Sequence, residues 1–441
     1  MTALIPLLLA RVLASPPAID SIALGRVLDS VVPALMRDHR VPGVSLVVVT
    51  GDSTRVIRGF GVANRETGKA VDAERTSFRI ASVAKLFVAA AAMHEVEQGR
   101  LDLGQDLRPL LSDIPIRGGR DAPVRLHDLL THTAGFEERV VGMATPSLDR
   151  LRPLGEYLAD RMPKRDAEPG LRTSYSNHGF ALTALAIERS SGRDFAEQAR
   201  VAIFSPLGMT RTGYRAPLGD PDDLAIGYRC DEGECTVAPP AFTHTYPAGL
   251  AYSTAADMGR FITAMLAPRN IDGWLDPESV RAMESLQFTH DSTLEGMGYG
   301  FWRHRAPNGE RLLSHAGNGP GSVALLQLAP ERQVGFFFAA NGGSGTFARL
   351  LSEALQAALY PGQSTEPDRA AIIGSAAELA GVYRLTRTAR RSVETFPGLF
   401  QAPLTITASG DTALVHFTSG AVPFLRVGEN RFVSVDGQRR L

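Results

Sequence analysis

Net charge is almost absent from this chain: 46 Lys and Arg stand against 47 Asp and Glu, a formal charge of -1 at pH 7. Such a balance gives no field to draw in nucleic acid or an anionic membrane. Cysteine is confined to Cys230 and Cys235, and a metal site would need more ligands than the sequence places near them. The chain lacks the H-E-x-x-H spacing of a zinc hydrolase. It also lacks a G-x-S-x-G elbow, since Gly342-Gly343-Ser344-Gly345 has the wrong spacing. Gly317-Asn318-Gly319-Pro320-Gly321 does not fit G-x-G-x-x-G, which argues against a nucleotide loop, and Gly51-Asp52-Ser53 reads as a turn between two apolar strands. Lysine is scarce too. Only Lys69, Lys85 and Lys164 occur, and arginine supplies the rest of the basic charge. Arginine cannot release its proton in a protein, whereas a buried lysine can become neutral and act as a base.

One of those lysines has a partner. Ser82-Val83-Ala84-Lys85 opens an apolar helical run from Leu86 to Gln98, with Gly99 and Gly104 as stops. Residues i and i+3 share a helix face, so Ser82 and Lys85 can point into one cleft. At a helix N-terminus the dipole would favour the negative charge that develops in acyl transfer. The pair alone fits equally well an N-cap serine followed by a solvated surface lysine.

Two further elements follow in order. Tyr175-Ser176-Asn177 comes after the turn Glu168-Pro169-Gly170 and before a helical run, Phe180 to Glu188. His315-Ala316-Gly317 ends a strand-like stretch just before a Gly-rich turn. The order Ser-x-x-Lys, Tyr-x-Asn, His-x-Gly resembles the serine β-lactamase and penicillin-binding-protein superfamily, in the branch holding class C β-lactamases, DD-peptidases, D-aminopeptidases and family VIII esterases. The segments 124–136, 175–180 and 247–258 are similar to connecting segments of these proteins, and the resemblance covers roughly residues 20–360.

The resemblance implies a serine hydrolase that needs no metal and no cofactor. Ser82 would carry the acyl group, and Lys85 and Tyr175 would share the proton traffic, either one being the base. Each role asks for a shifted pKa: Lys85 lowered by desolvation, or Tyr175 lowered by nearby positive charge. Asn177 would offer its amide to substrate, the backbone N–H groups of Ser82 and Asn318 would form the oxyanion hole, and Gly317 would let a substrate backbone approach. His315 stands where many β-lactamases and DD-carboxypeptidases have a permanently charged lysine, and it is expected to be mostly neutral at pH 7. The substrate expected is therefore a small ester, amide or peptide. A DD-carboxypeptidase or weak β-lactamase is the alternative, and a penicillin-binding sensor that acylates without turnover is the rival from another class. His127, His132 and His244 read as loop or core residues, and His178 as either a core or a cleft residue.

The fold expected is α/β (α+β): an antiparallel sheet flanked by helices, with an inserted all-helical subdomain, as in the β-lactamase/transpeptidase superfamily, and a small C-terminal all-β domain. A helix over 19–38 and paired strands over 44–50 and 54–62 precede the Ser82 helix. A helical, Pro-interrupted middle runs from 101 to 265. Strands at 298–304, 311–315, 322–328 and 334–339 and a closing helix over 346–359 bring the chain back to the same sheet. Residues 361–377 read as a linker and 378–441 as a β-meander or barrel, with runs at 404–407, 413–417, 424–427 and 432–435. Asp436-Gly437 is a hairpin signal with four residues after it, so that sheet is expected to be incomplete, through truncation or by pairing with another subunit in a homo-oligomer. Residues 1–18 read as a signal peptide or N-terminal extension: Ala3 to Ala10 is apolar but too short to span a membrane, and Val12-Leu13-Ala14 resembles a signal-peptidase site. Cys230 and Cys235 flank a hairpin loop, which suits a disulfide in an oxidising compartment, so export to the periplasm or medium is expected.

Overall fold

The computed structural model describes residues 19–362 and 376–434, apart from 216–218, 232–233, 268–270, 293, 307, 384–386, 388–403, 411, 418–419 and 429–430. The expectations for residues 1–18, for most of the linker and for Asp436-Gly437 lie outside the described residues.

Helix α1 (Ser21–Asp38) starts at Asp20, whose carboxylate accepts from the N–H groups of Ile22 and Ala23. Strands β1 (Gly43–Thr50) and β2 (Ser53–Asn64) pair antiparallel, and α2 (Lys85–Glu97) follows. After an inserted region containing α3 (Asn177–Ser191) and α4 (Ala255–Leu266), the chain returns as β3 (Trp302–Arg305), β4 (Arg311–Gly319), β5 (Ser322–Ala329) and β6 (Val334–Ala340). Strand β6 pairs with β1, Val47 facing Phe337 in the register, so first and last strands meet in the middle of a seven-stranded sheet of order β3-β4-β5-β6-β1-β2 with Lys69–Ala70 at the edge. Helix α5 (Gly345–Leu359) closes this part.

The pleat divides the core in two. Val47, Val49, Phe337 and Ala339 pack with α2 and α4 on one face. Val44, Leu46, Val48, Phe336 and Phe338 meet Leu24, Leu28 and Val32 of α1 and Phe347, Leu351 and Leu355 of α5 on the other. Every residue of β1 is buried, which is why that strand is largely apolar on both faces, with Ser45 and Thr50 its polar members. Helix α2 is apolar on all sides because it lies between the sheet and the inserted region, with Leu86 to Met93 buried throughout.

The inserted region is helical in its body and also carries short strand pairings that periodicity could not reveal. Ala251–Ser253 pairs with both Phe78–Arg79 and Gly213–Tyr214, tying the insertion to the residues just before Ser82. Tyr228–Asp231 and Glu234–Val237 form the expected hairpin, closed by a Cys230–Cys235 disulfide. The C-terminal region forms a separate five-stranded antiparallel sheet: β7 (Gly381–Tyr383), β8 (Leu404–Ser409), β9 (Thr412–Phe417), β10 (Gly420–Gly428) and β11 (Arg431–Ser434). Ile406, Val415, Phe424 and Phe432 form its small core. Strand β7 is the one member not expected from the sequence. No helix among the described residues is long and apolar enough to cross a membrane.

Candidate active site

Ser82 sits in a 3-10 turn, Ala81–Ala84, that runs straight into α2. The turn is entered through Ala81 at φ +46°, a left-handed conformation that alanine seldom adopts. Neighbouring contacts hold it there: Ile80 N–H donates to the Ala251 carbonyl at 3.0 Å, and β4 presses against the turn from the other side at Gly317. A Cβ at Gly317 would lie 2.2 Å from the Ile80 carbonyl oxygen and 3.2 Å from the Ala81 Cβ. The Cβ side of this glycine is thus filled by the turn that carries Ser82.

Lys85 is fully buried, which removes the reading of a solvated surface charge. Its Nζ lies 3.1 Å from Ser82 Oγ, 2.8 Å from Asn177 Oδ1 and 2.7 Å from the Ala248 carbonyl oxygen. Burial holds the amine well below the usual lysine pKa; the charge of Arg387 acts in the same sense and Glu138 opposes it. Asn177 Oδ1 and the Ala248 carbonyl can only accept. A neutral amine has two N–H bonds and one lone pair, so two N–H bonds aimed at these acceptors leave the lone pair directed at Ser82 Oγ.

Tyr175 hydrogen-bonds Ser82, and burial pushes its phenol up to about 12. Of the two shifts the sequence allowed, the lysine moves in the required direction and the tyrosine moves against it, because desolvation outweighs the nearby Arg387. Ser176 caps α3, its Oγ accepting from Gly179 N–H at 3.0 Å, which places Asn177 at the first helical position facing Lys85. With Oδ1 engaged, Nδ2 is the amide's remaining donor. His315 is buried on β4. Its Nδ1 lies 2.9 Å from the Ala316 carbonyl and therefore carries the proton, and burial together with the nearby Lys85 lowers its pKa to about 3. Its expected neutrality thus has a physical cause.

These groups meet in a cleft of about 770 Å³ whose walls include Ser82, Tyr175, Asn177, His315 and Asn318. A second cavity of about 680 Å³ lies on the other side of β4 beneath α5, lined by Gln327, Ser352 and Tyr360 among others, and Ser82 does not reach it. His178 belongs to the core: its Nε2 lies 3.1 Å from Tyr157 Oη, and burial lowers its pKa to about 3. Residues that the sequence reading did not place at the site surround Tyr175, and Met143, Thr173 and His290 also line the cleft. His132 packs on Tyr175 with ring centres 4.4 Å apart. Trp302 stacks on Tyr175 at 6.4 Å, and the Arg387 guanidinium lies 4.7 Å from the centre of the same ring. His132 was read as a loop or core residue within segment 124–136, and no local pattern marked Trp302 or Arg387, which reach the site from distant parts of the chain.

Residues 28–360 match the family described as Beta-lactamase, and the chain belongs to that family. It is 28% identical over 259 residues to PbpX of Bacillus subtilis (strain 168), a match covering 58% of this chain and 61% of PbpX, so the chain spans less than two thirds of that relative. It is 27% identical over 320 residues to the D-alanyl-D-alanine-carboxypeptidase/endopeptidase AmpH of Escherichia coli (strain K12), covering 67% of this chain and 78% of AmpH. Among solved structures, the octameric penicillin-binding protein homologue from Pyrococcus abyssi shares the fold with a TM-score of 0.64 at 22% identity, over 93% of each chain.

Proposed function

We propose that this protein hydrolyses small ester or amide bonds, peptides included, through an acyl-enzyme formed on Ser82. The observation that carries the reading is the buried Lys85 amine, 3.1 Å from Ser82 Oγ, with its other two neighbours able only to accept. Lys85 takes the Ser82 proton as Oγ attacks the carbonyl carbon. The N–H groups of Ser82 and Asn318 hold the oxyanion, and each such donor contributes about 2.7–4 kcal/mol to transition-state stabilisation. Tyr175, kept protonated by its raised pKa, gives a proton to the leaving atom and recovers one from Lys85 through the hydrogen bonds that meet at Ser82. Water then releases the acyl group by the reverse of these steps. The experiment is direct: wild type and Ser82→Ala are incubated with a p-nitrophenyl ester, nitrocefin and a D-alanyl peptide, and intact mass and turnover are read. An acyl adduct and sustained turnover in wild type alone are expected. Full turnover in Ser82→Ala sinks the mechanism, and a stoichiometric burst without steady state favours the sensor.

The kinship with AmpH favours D-alanyl peptides as a second substrate class. The Cys230–Cys235 disulfide supports residence in an oxidising compartment.

A further inference from the structure

A cation without a partner lies outside the reaction cleft, at the end of the sheet where β4 turns into β5. Arg79 belongs to the short strand Phe78–Arg79 that leads into the Ser82 turn, and it pairs in register with Tyr252. Its Nε is shielded from solvent and has no hydrogen-bond partner among the described residues. Burial lowers its pKa, and the Tyr252 phenol, not a carboxylate, acts against that. Arginine keeps its proton in a protein, so the charge stands here uncompensated, and a buried charge left unpaired is costly.

Arg79 lines a third cavity, of about 190 Å³, together with two more orphaned groups. Ser322 Oγ and Asn341 Oδ1 are both buried without partners among the described residues. Asn341 Nδ2 donates to the Val62 and Ala63 carbonyls at 3.1 Å, which leaves Oδ1 as a fixed acceptor. Val323 faces Ala340 across β5 and β6, so Ser322 and Asn341 are the next neighbours at the end of the sheet. A Cβ on Gly319 would lie 3.2 Å from Ser322 Oγ and 3.9 Å from Arg79 Cζ, so hydroxyl and guanidinium flank one glycine. Apolar side chains such as Phe78, Leu224 and Phe242 form the walls, and Arg79 is the one charged residue among the described lining. This lining shares no residue with that of the reaction cleft. An apolar cavity of about 150 Å³ is enough for benzene, so the space suits a small organic molecule.

We propose that this cavity is a ligand site separate from the reaction cleft and takes a compact hydroxy acid. The carboxylate meets Arg79 and Ser322, the hydroxyl donates to Asn341 Oδ1, and the carbon body fills the apolar walls. Inorganic phosphate would leave those walls unfilled, and a neutral amide would leave the guanidinium uncompensated. The site lies behind the turn that carries Ser82, and it does not depend on the acyl-enzyme reading.

The test uses the full chain and three probes of one shape: α-hydroxyisovalerate, isovalerate and α-hydroxyisovaleramide, with Kd read from ligand-observed NMR titrations. Wild type is expected to bind α-hydroxyisovalerate about tenfold or more tightly than the amide and roughly threefold or more tightly than isovalerate. Arg79→Gln is expected to lose the preference for acid over amide, and Arg387→Gln, which alters the reaction cleft, to keep it. Ser322→Ala is expected to bind the hydroxy acid roughly threefold or more weakly than wild type, and it carries the test should Arg79→Gln fail to fold. The inference is overturned by wild type that binds acid and amide alike, or by an acid preference that survives in Arg79→Gln or vanishes in Arg387→Gln. Wild-type affinity in Ser322→Ala overturns it as well. Equal affinity for α-hydroxyisovalerate and isovalerate overturns the hydroxy-acid class.

Discussion

His132 packs on Tyr175 with ring centres 4.4 Å apart and the rings tilted by 35°, and it also grips the backbone on both sides of it. Its carbonyl accepts from Ser174 N–H at 2.8 Å, and its Nδ1 accepts from Ser176 N–H at 3.1 Å. That double grip is made by a residue at φ +58°, a left-handed conformation uncommon outside glycine. His132→Ala is expected to release Tyr175 and lower kcat roughly 100-fold, since a misplacement of about 1 Å suffices for that loss. Steady-state kinetics with a p-nitrophenyl ester check this, and a wild-type kcat would remove His132 from the site.

Lys85→Arg is expected to be about as inactive as Lys85→Ala, both down on the order of 1,000-fold or more, because a guanidinium has no lone pair to offer Ser82. Appreciable activity in the Arg variant would take Lys85 out of proton transfer.

The pH profile follows from the directions of the two shifts. In the proposed mechanism Lys85 must be neutral to accept a proton, and its pKa is depressed by burial, so kcat/KM is expected to fall on acidification through a midpoint well below the usual lysine value. Tyr175 must stay protonated and titrates at about 12, so activity is not lost on its account at moderately alkaline pH. A rate still climbing steeply through pH 10 would show Lys85 to be an ordinary lysine.

Gly317→Ala places a methyl group 2.2 Å from the Ile80 carbonyl oxygen, and backbone must move to admit it. The expected result is a stability loss of about 1–3 kcal/mol from overpacking together with a fall in acylation rate, because the displaced turn carries Ser82. Denaturant unfolding and acylation kinetics on the same sample check both effects, and a variant that is stable and fully active contradicts the packing argument.

Acid stability depends on buried histidines. His315 and His178 both stay neutral in the folded protein down to about pH 3, whereas an exposed histidine protonates near 6.5. As pH falls below 6.5 the unfolded chain takes up protons that the folded chain refuses, so stability declines between pH 6.5 and 3 and is unaffected by these groups above that range. From pH 7 to pH 5 each histidine costs about 2 kcal/mol. Urea unfolding at the two pH values should therefore show His178→Phe losing about 2 kcal/mol less than wild type, and equal losses would mean that His178 protonates in place.

Much of this molecule is written locally in the sequence. Apolar periodicity places α1, β1, β2 and the return strands, because an element that buries one face or both must repeat its apolar residues at its own period. Ser82, Lys85, Tyr175 and Asn177 are also legible, since each lies in a short motif at a helix start, where i to i+3 spacing and capping fix local geometry. Other features depend on residues far apart in sequence. The protonation states of Lys85, Tyr175 and His315 follow from burial, and desolvation depends on everything packed around a group rather than on its neighbours in the chain. The purpose of Gly317 emerges only when β4 lies against Ile80. Arg387 enters the cleft because the C-terminal region and Glu138 bring it there, a long-range contact for which no local spacing is a sign. By itself the sequence determined the groups proposed to react and the strands and helices that carry them; tertiary structure alone decided their charges and what else faces the cleft, because both depend on what is excluded from water.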